Sequence, residues 1–199
     1  MATSVEDLVR QLSSPDFNAR ALALAELVQR GREATAVLTE ALKSSDEPLR
    51  TQAAQGLAEI ADPDSAETFA QLLNDDDGEL RARGAQGLAL LNDPRATDAL
   101  VRTIDDLEDL AHFPYTLSVY GLIRLGPAAL PAVAPLLKAE NPLTRQRAFL
   151  VISAVVQQMP EGKDWEQLWR SLGSYNPDGA ESERERAAEL WLGWIRQHG

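Results

Sequence analysis

The sequence predicts an all-α solenoid, in which about five helical hairpins stack and a C-terminal helix closes the array. The first observation is a repeat, because the segment 49–58 recurs thirty-one residues later as 80–89 with leucine, arginine, alanine and glycine at matching positions. The second is a proline-containing turn that follows each copy. The third is composition, since alanine and leucine dominate the apolar residues and favour helices.

The first helix of a hairpin carries one apolar stripe. In the copy that opens near residue 47, Leu49, Ala53, Leu57 and Ile60 recur at the spacing of one face of a 3.6-residue helix. Small residues such as Gly56 lie where neighbouring helices must approach closely. One hairpin cannot bury such a stripe alone, so successive hairpins are expected to cover one another.

Proline marks the turn between the two helices of a hairpin, because it suits the first helical turn and fails inside a helix. The turn dipeptides at matching positions are Asp62-Pro63, Asp93-Pro94 and Gly126-Pro127.

Weaker copies of the unit open at Pro15 and Asn141. The predicted helices span about 16–30, 33–43, 47–60, 64–74, 78–91, 95–107, 113–125, 128–138, 142–158, 164–172 and 182–196.

Residues 1–199 are predicted to form a single domain, with the repeat array over about 14–160 and a tryptophan-rich capping region over 161–199.

The net charge of −12 disfavours nucleic acid and anionic lipid as partners. No run of eighteen apolar residues and no signal pattern are evident, so we expect a cytoplasmic protein without a membrane partner. Cysteine is absent, which excludes disulfides and thiolate chemistry.

These residues resemble HEAT repeats, in the short, alanine-rich branch that includes the phycobilisome bilin lyase proteins. The resemblance covers roughly residues 14–160. It implies that an acidic residue opens each unit and that an arginine in the first helical turn ties adjacent repeats together. Asp46 with Arg50, and Asp77 with Arg81, fit this pattern. The motif is specific for the fold and unspecific for function.

The resemblance also implies that the second helices line a concave face. That face is mostly acidic, which favours a partner with a basic segment; the alternative is an ordinary solvated surface. The polar candidates on this concave face are Glu67, Gln71, Asp98, Arg102 and Asp105.

The fourth hairpin departs most from the repeat. In its first helix, expected over 113–125, Arg124 is the only charged residue, and alignment on the turn prolines puts Tyr115 in the place of the repeat arginine. Exposed aromatic residues in a group indicate an interface, with another protein or with a second copy of the chain. The alternative is that these side chains fold onto neighbouring repeats or lie beneath residues 1–12. The protein-interface candidates are Phe113, Leu117, Tyr120 and Ile123.

All four tryptophans lie in the last thirty-five residues, in two pairs at helical spacing. They are Trp165, Trp169, Trp191 and Trp194. Packing that closes the end of the core is the favoured interpretation, and a binding groove is the alternative.

Candidate catalytic, metal and cofactor sites do not emerge from the residues. His112 and His198 are far apart in sequence, and the carboxylate clusters at 75–77 and 105–109 lack the spacing of a calcium loop. We expect these clusters to be solvated turns; the alternative is a weak site for a cation or a basic partner. The predicted function is therefore a non-enzymatic scaffold or adaptor that binds another protein. The alternative, carried by the resemblance alone, is a bilin lyase or a chaperone of phycobiliproteins.

Overall fold

The computed structural model describes residues 3–199. Within that range all regular structure is helical, and the one strand-like contact is an isolated bridge between Glu108 and Thr116. The predicted all-α solenoid of helical hairpins is confirmed. The α-helices are α1 (Val5–Gln11), α2 (Phe17–Arg30), α3 (Arg32–Ala41), α4 (Glu47–Ile60), α5 (Ala66–Leu72), α6 (Gly78–Leu90), α7 (Ala96–Arg102), α8 (Leu117–Leu125), α9 (Leu130–Val133), α10 (Pro142–Val156), α11 (Trp165–Ser171) and α12 (Glu181–His198).

Two compact units divide the chain, the first ending at Ala99 and the second beginning at Leu100. Along the chain the helices form five successive pairs, from α2–α3 to α10–α11, and α12 follows them. The prediction of one domain over residues 1–199 stays a prediction.

Helix α1 is an element that the sequence analysis missed. The Ser4 hydroxyl accepts a hydrogen bond from the backbone N–H of Asp7 at 3.1 Å, which caps the helix. Val5, Leu8 and Leu12 are buried, so this single helix covers one side of the first unit. Leu8, Leu12 and Asp16 correspond to Leu38, Leu42 and Asp46 thirty residues later, so α1 matches the second helix of a pair and the repeat spacing could have found it.

Three predicted helices end or begin in the wrong place. The helix predicted over 95–107 stops at Arg102, and the one predicted over 113–125 starts at Leu117, where the Thr116 hydroxyl caps it by accepting from the Val119 N–H. The helix predicted over 128–138 breaks into a short α-helix, α9, between two 3₁₀ segments. Pro131 and Pro135 remove backbone donors there, so a regular α-helix cannot run through.

Close helix contact shapes the core of the first unit. A Cβ atom added to Gly87 would lie 2.4 Å from the ring of Phe69, and one added to Gly84 would lie 2.6 Å from the Phe69 carbonyl oxygen. Phe69 is fully buried between α5 and α6. Glycine is therefore required on α6 because the neighbouring helix occupies the space of a side chain.

Aromatic rings fill the C-terminal part of the second unit. Trp191 is fully buried, with ring centroids 5.7 Å from Trp165 and 5.9 Å from Phe149. The Tyr175 hydroxyl donates to the Leu137 carbonyl at 2.6 Å. The packing interpretation of the tryptophans is confirmed for Trp191, which closes the core rather than lining a groove.

One stretch, Leu117–Lys138, is long and apolar enough to cross a membrane by length and composition, with a mean hydropathy of 1.4. It is not one continuous α-helix. Gly126, at a φ of 68°, ends α8, and a 3₁₀ turn leads from there into α9. Val119, Leu122 and Leu130 are fully buried within the second unit, so the apolar character of this stretch serves the core.

Replacing Gly87 with alanine should lower the free energy of unfolding by about 1–3 kcal/mol, because the new methyl group overlaps the buried Phe69 ring. Gly193 on α12 is the matched control, since an added Cβ would meet only the Arg196 guanidinium at 4.0 Å. Gly193→Ala should be neutral or stabilise by up to about 1 kcal/mol through helix propensity. Urea denaturation measures both, and equal effects would contradict the close contact of α5 with α6.

Replacing Tyr175 with phenylalanine should remove a pH-dependent part of the stability. Burial raises the pKa of Tyr175 from 10.0 to about 12, so folding favours its protonated form. This contribution is complete below pH 10 and is lost as the pH rises towards about 12. The wild type should therefore exceed Tyr175→Phe in unfolding free energy below pH 10, and the gap should close by about pH 12. Tryptophan fluorescence during urea denaturation measures the unfolding free energy of each protein. A difference between them that did not change with pH would contradict the raised pKa of the buried Tyr175 hydroxyl.

Candidate protein-binding surface

An arginine in the first turn of a first helix binds the turn that precedes it. On α6, Nη1 of Arg81 donates to the carbonyl oxygens of Asp75 and Asp76, both at 2.9 Å. On α4, Nη1 of Arg50 lies 3.8 Å from Oδ2 of Asp75, which lies in the turn between α5 and α6. Each arginine was expected to contact an acidic residue or a helix-end carbonyl. Arg50 contacts the acidic residue, and Arg81 contacts carbonyls of the turn beyond the helix end.

Two further arginines make the same contact and were missed in the sequence. Nη1 of Arg20 donates to the carbonyls of the residues five and six positions earlier, at 3.2 and 2.7 Å. Nη1 of Arg145 does the same at 2.7 and 2.9 Å. In each case the arginine lies four residues after the helix cap, which is Asp16 for Arg20 and Asn141 for Arg145. That spacing in the sequence could have found them.

The same spacing corrects the alignment of the fourth pair. Thr116 caps α8, so the residue four positions later is Tyr120. Tyr120, and not Tyr115, therefore occupies the place of the repeat arginine. Tyr115 instead lies before α8 and stacks on Tyr120, with ring centroids 4.9 Å apart and planes inclined at 23°. The prediction for Tyr115 was wrong because it was aligned on the turn prolines and assumed a helix from residue 113.

An ordered loop over residues 103–116 separates α7 from α8, and buried hydroxyls join its two ends. The Oγ1 atom of Thr103 lies 2.7 Å from Oγ of Ser118, and Thr116 donates to the Ile104 carbonyl at 2.8 Å. Thr103, Thr116 and Ser118 are buried. Because buried hydroxyls need hydrogen-bond partners, these pairs fix both ends of the loop.

Arg147 on α10 holds the middle of the loop from beneath. Its guanidinium is 1% exposed and donates to Asp105 Oδ1 at 2.8 Å, to Glu108 Oε1 at 2.6 Å and to the Pro114 carbonyl at 2.9 Å. Thr144, one turn earlier on the same helix, also donates to Asp105. The sequence analysis missed Arg147. Its buried guanidinium needs negative partners, and Asp105 and Glu108 supply them.

Asp109 organises the tip of the loop. Its Oδ2 atom accepts from Nδ1 of His112 at 2.8 Å and from the Tyr120 hydroxyl at 2.9 Å, while Oδ1 accepts from the backbone N–H of Ala111 at 3.0 Å. The hydrogen bond from His112, followed by that from Tyr120, holds the pKa of Asp109 below its ordinary value. The carboxylate therefore stays charged at neutral pH and links the loop to α8.

Large apolar side chains project from this ordered loop and the adjoining turn of α8 into solvent. Leu110 is 91% exposed, Phe113 is 61% exposed and Tyr120 is 42% exposed. These three residues together form the loop surface. Of the other interface candidates, Leu117 and Ile123 are partly buried on α8. The interface itself stays a prediction.

The concave-face candidates are all exposed, but one of them is not on a helix. Glu67 and Gln71 lie one turn apart on α5, and Glu67 pairs with Arg95 at 3.1 Å. Asp98 and Arg102 lie on α7. Asp105 was expected on the same helix, but it lies in the loop, where Arg147 and Thr144 bind its carboxylate. The placement of Asp105 on a second helix was wrong because α7 ends three residues earlier.

Residues 3–199 contain no group of three or more histidine, aspartate or glutamate side chains arranged to hold a metal ion. The Asp109–His112 pair has its imidazole 69% exposed, and its carboxylate is already used by the loop. The polar groups around the loop surface bind one another.

Comparison with known proteins identifies the repeat. Residues 5–89 match the family model described as HEAT repeats. The complex of CpcE and CpcF of phycocyanin lyase from Nostoc sp. PCC7120 has a similar fold, with a TM-score of 0.52 and 18% identity over 99% of this chain and 94% of that chain. No curated protein matches the sequence.

Two other solved structures are similar at lower scores. The archaeal HEAT-like repeats protein from Thermococcus onnurineus NA1 has a TM-score of 0.40 and 17% identity, over 99% of this chain and 98% of that chain. A designed armadillo repeat protein has a TM-score of 0.44 and 17% identity, over 96% of this chain and all of the other. At these identities the likeness concerns the fold alone.

Replacing Arg147 with methionine should lower the free energy of unfolding by about 2–4 kcal/mol, because two carboxylates and a carbonyl lose a buried donor. This loss is smaller than that for a fully buried pair, since Asp105 and Glu108 keep 38% and 39% of their side-chain surface exposed. Limited proteolysis should then cut within residues 103–116 first. Arg124→Met, at an exposed position of α8, is the control and should change neither result. An intact loop in Arg147→Met would contradict the anchoring role.

Proposed function

We propose that this HEAT-repeat protein, whose repeats are identified over residues 5–89, is a non-enzymatic scaffold that binds another protein through the loop surface. The observation that carries the proposal is the exposure of Leu110, Phe113 and Tyr120 on a segment that buried hydrogen bonds hold in one conformation. A HEAT array serves many partners, so the proposal depends on this surface and not on the fold.

Burial of the exposed apolar side chains by a partner is energetically favourable. A large apolar side chain left in water forgoes roughly 1.5–3 kcal/mol of burial. The first helix of the preceding pair has charged residues at partly exposed positions, for example Glu79 and Arg83, which form an ion pair. The fourth pair instead exposes apolar residues, and it does so where Arg147 and Asp109 fix the backbone. A surface prepared in this way loses little conformational entropy when a partner binds.

Charge supports a protein partner over nucleic acid. The net charge of −12 opposes the approach of a phosphate backbone, whose binding requires neutralisation by lysine and arginine. We also propose that the protein is located in the cytoplasm. Self-association through the same surface is the second form that protein binding could take, and the oligomeric state separates the two.

A second candidate function is that of a bilin lyase or a phycobiliprotein chaperone. The fold similarity to the CpcE and CpcF complex favours it, at 18% identity. The resemblance assigns no residue of this chain to a lyase function. Mixing the protein with free bilin and recording the visible spectrum tests it directly, because a bound bilin changes its absorption. An unchanged spectrum would contradict the lyase, and a chaperone would then be tested by the binding of a phycobiliprotein.

The double variant Leu110→Ser/Phe113→Ser should lose capture of its native partner from a cell extract. The reason is that both substitutions remove exposed apolar area and leave the core untouched. Quantitative mass spectrometry of captured proteins, together with size-exclusion chromatography, measures the effect, and we expect at least about a tenfold loss of the specific partner.

A matched control variant is available in the first unit. Leu22 and Phe17 on α2 are 72% and 71% exposed, so Leu22→Ser/Phe17→Ser removes the same residue types from another surface. The control should capture the partner as the wild type does. Equal capture by all three proteins, at equal thermal stability, would refute the loop surface as the binding site.

A further inference from the structure

We propose that the loop surface binds a partner segment in which arginine or lysine residues alternate with aliphatic residues. This inference rests on the proposed scaffold function and names the chemistry of the partner. It departs from the expectation of a basic segment on the concave face, and it develops the alternative of a basic partner at the carboxylates of residues 105–109 by adding the exposed apolar side chains of the loop.

Most of the loop surface belongs to a segment with a net negative charge. Residues 103–116 include Asp105, Asp106, Glu108 and Asp109 and contain no lysine or arginine. Asp105 and Glu108 share the single guanidinium of Arg147, and both carboxylates remain more than a third exposed. A partner that covers Leu110 and Phe113 approaches the acidic segment that carries these residues, and cationic groups on the partner complement its charge.

The aromatic pair adds a second reason for a cation. Tyr120 stays 42% exposed although Tyr115 stacks on it, and the face of a tyrosine ring attracts ammonium and guanidinium groups. The chain makes such a contact elsewhere, where the Arg20 guanidinium carbon lies 5.7 Å from the centroid of the Phe17 ring. Aliphatic residues of the partner would cover Leu110 and Phe113, and a neighbouring cation would reach Tyr120 and Glu108.

The same charges argue against a second copy as the occupant. In a symmetric dimer each loop surface meets an identical one, so the carboxylates of both loops would face each other. Like charges brought together at an interface oppose association. A partner of opposite charge avoids this repulsion and gains attraction at the same positions.

The test uses a short fluorescein-labelled peptide of alternating arginine and leucine, with fluorescence polarisation as the readout. Two comparison peptides carry glutamate in place of arginine, or serine in place of leucine. The wild type should bind the first peptide at least about tenfold more tightly than either of the others. Raising the salt concentration to about 0.5 M should weaken binding several-fold, because exposed charges are screened.

Variants assign the binding to the loop. Leu110→Ser should weaken binding about fivefold, whereas Leu22→Ser, its control, should not change it. Glu108→Gln should weaken binding about threefold while its amide oxygen still accepts from Arg147. Glu67→Gln is the control for charge, since Glu67 also accepts from an arginine and belongs to the concave-face candidates.

Each outcome decides between the alternatives. Binding that responds to Glu67→Gln and not to Glu108→Gln would overturn the inference in favour of the concave face. Equal binding of the glutamate peptide would overturn the charge argument and leave the scaffold function standing. Self-association that is lost in Leu110→Ser/Phe113→Ser, without peptide binding, would identify a second copy as the occupant. Absence of peptide binding, with extract capture unchanged in that double variant, would refute both this inference and the loop surface as the binding site.

Discussion

The turns between helix pairs leave backbone carbonyl groups that need hydrogen-bond donors, and this requirement governs the structure more than any single apolar contact. An arginine four residues after the helix cap supplies the donors in three of the pairs, as Arg20, Arg81 and Arg145 show. A carbonyl left without a partner in such a place costs as much as a lost hydrogen bond. The same side chain thereby links the first turn of a helix to the turn that precedes that helix.

The fourth pair has tyrosine in place of that arginine, and its connection differs accordingly. Tyr120 cannot donate to two carbonyls, and the chain between α7 and α8 no longer forms a short turn. An arginine from the following pair, Arg147, takes over the task and reaches across to Asp105, Glu108 and Pro114. In this connection the guanidinium that binds the loop therefore comes from the following helix pair.

The accuracy of the sequence predictions depends on the range of the interactions that decide each element. Predictions over 16–30, 47–60 and 78–91 match α2, α4 and α6 within one residue, because caps and apolar spacing lie within the helix itself. The errors at 95–107 and 113–125 occur where Arg147 acts over more than thirty positions of sequence. Spacing within a segment carries no sign of such a contact, and the roles of Asp105 and Arg147 could not be inferred from it.

The lack of charged residues in 113–123 predicts that Phe113 and Tyr120 are exposed. Leu110, the most exposed of the large apolar residues, is absent from the predicted interface. Leu110 comes after four acidic residues, in a segment whose composition is typical of a solvated turn. Its position is apparent only from the hydrogen bonds of Asp109, which orient the tip of the loop. Charge patterning alone does not distinguish a solvated turn from an acidic rim around an apolar contact.

The joined ends of the loop have a consequence for protein engineering. Thr103 with Ser118, and Thr116 with the Ile104 carbonyl, close the segment at its base by contacts that do not involve its tip. Arg147 also needs Asp105, Glu108 and the Pro114 carbonyl as partners, so only the tip, residues 110–113, forms a replaceable cassette on this support. Libraries of loop sequences inserted there would keep their anchoring points, in the way that hypervariable loops are displayed on an antibody framework.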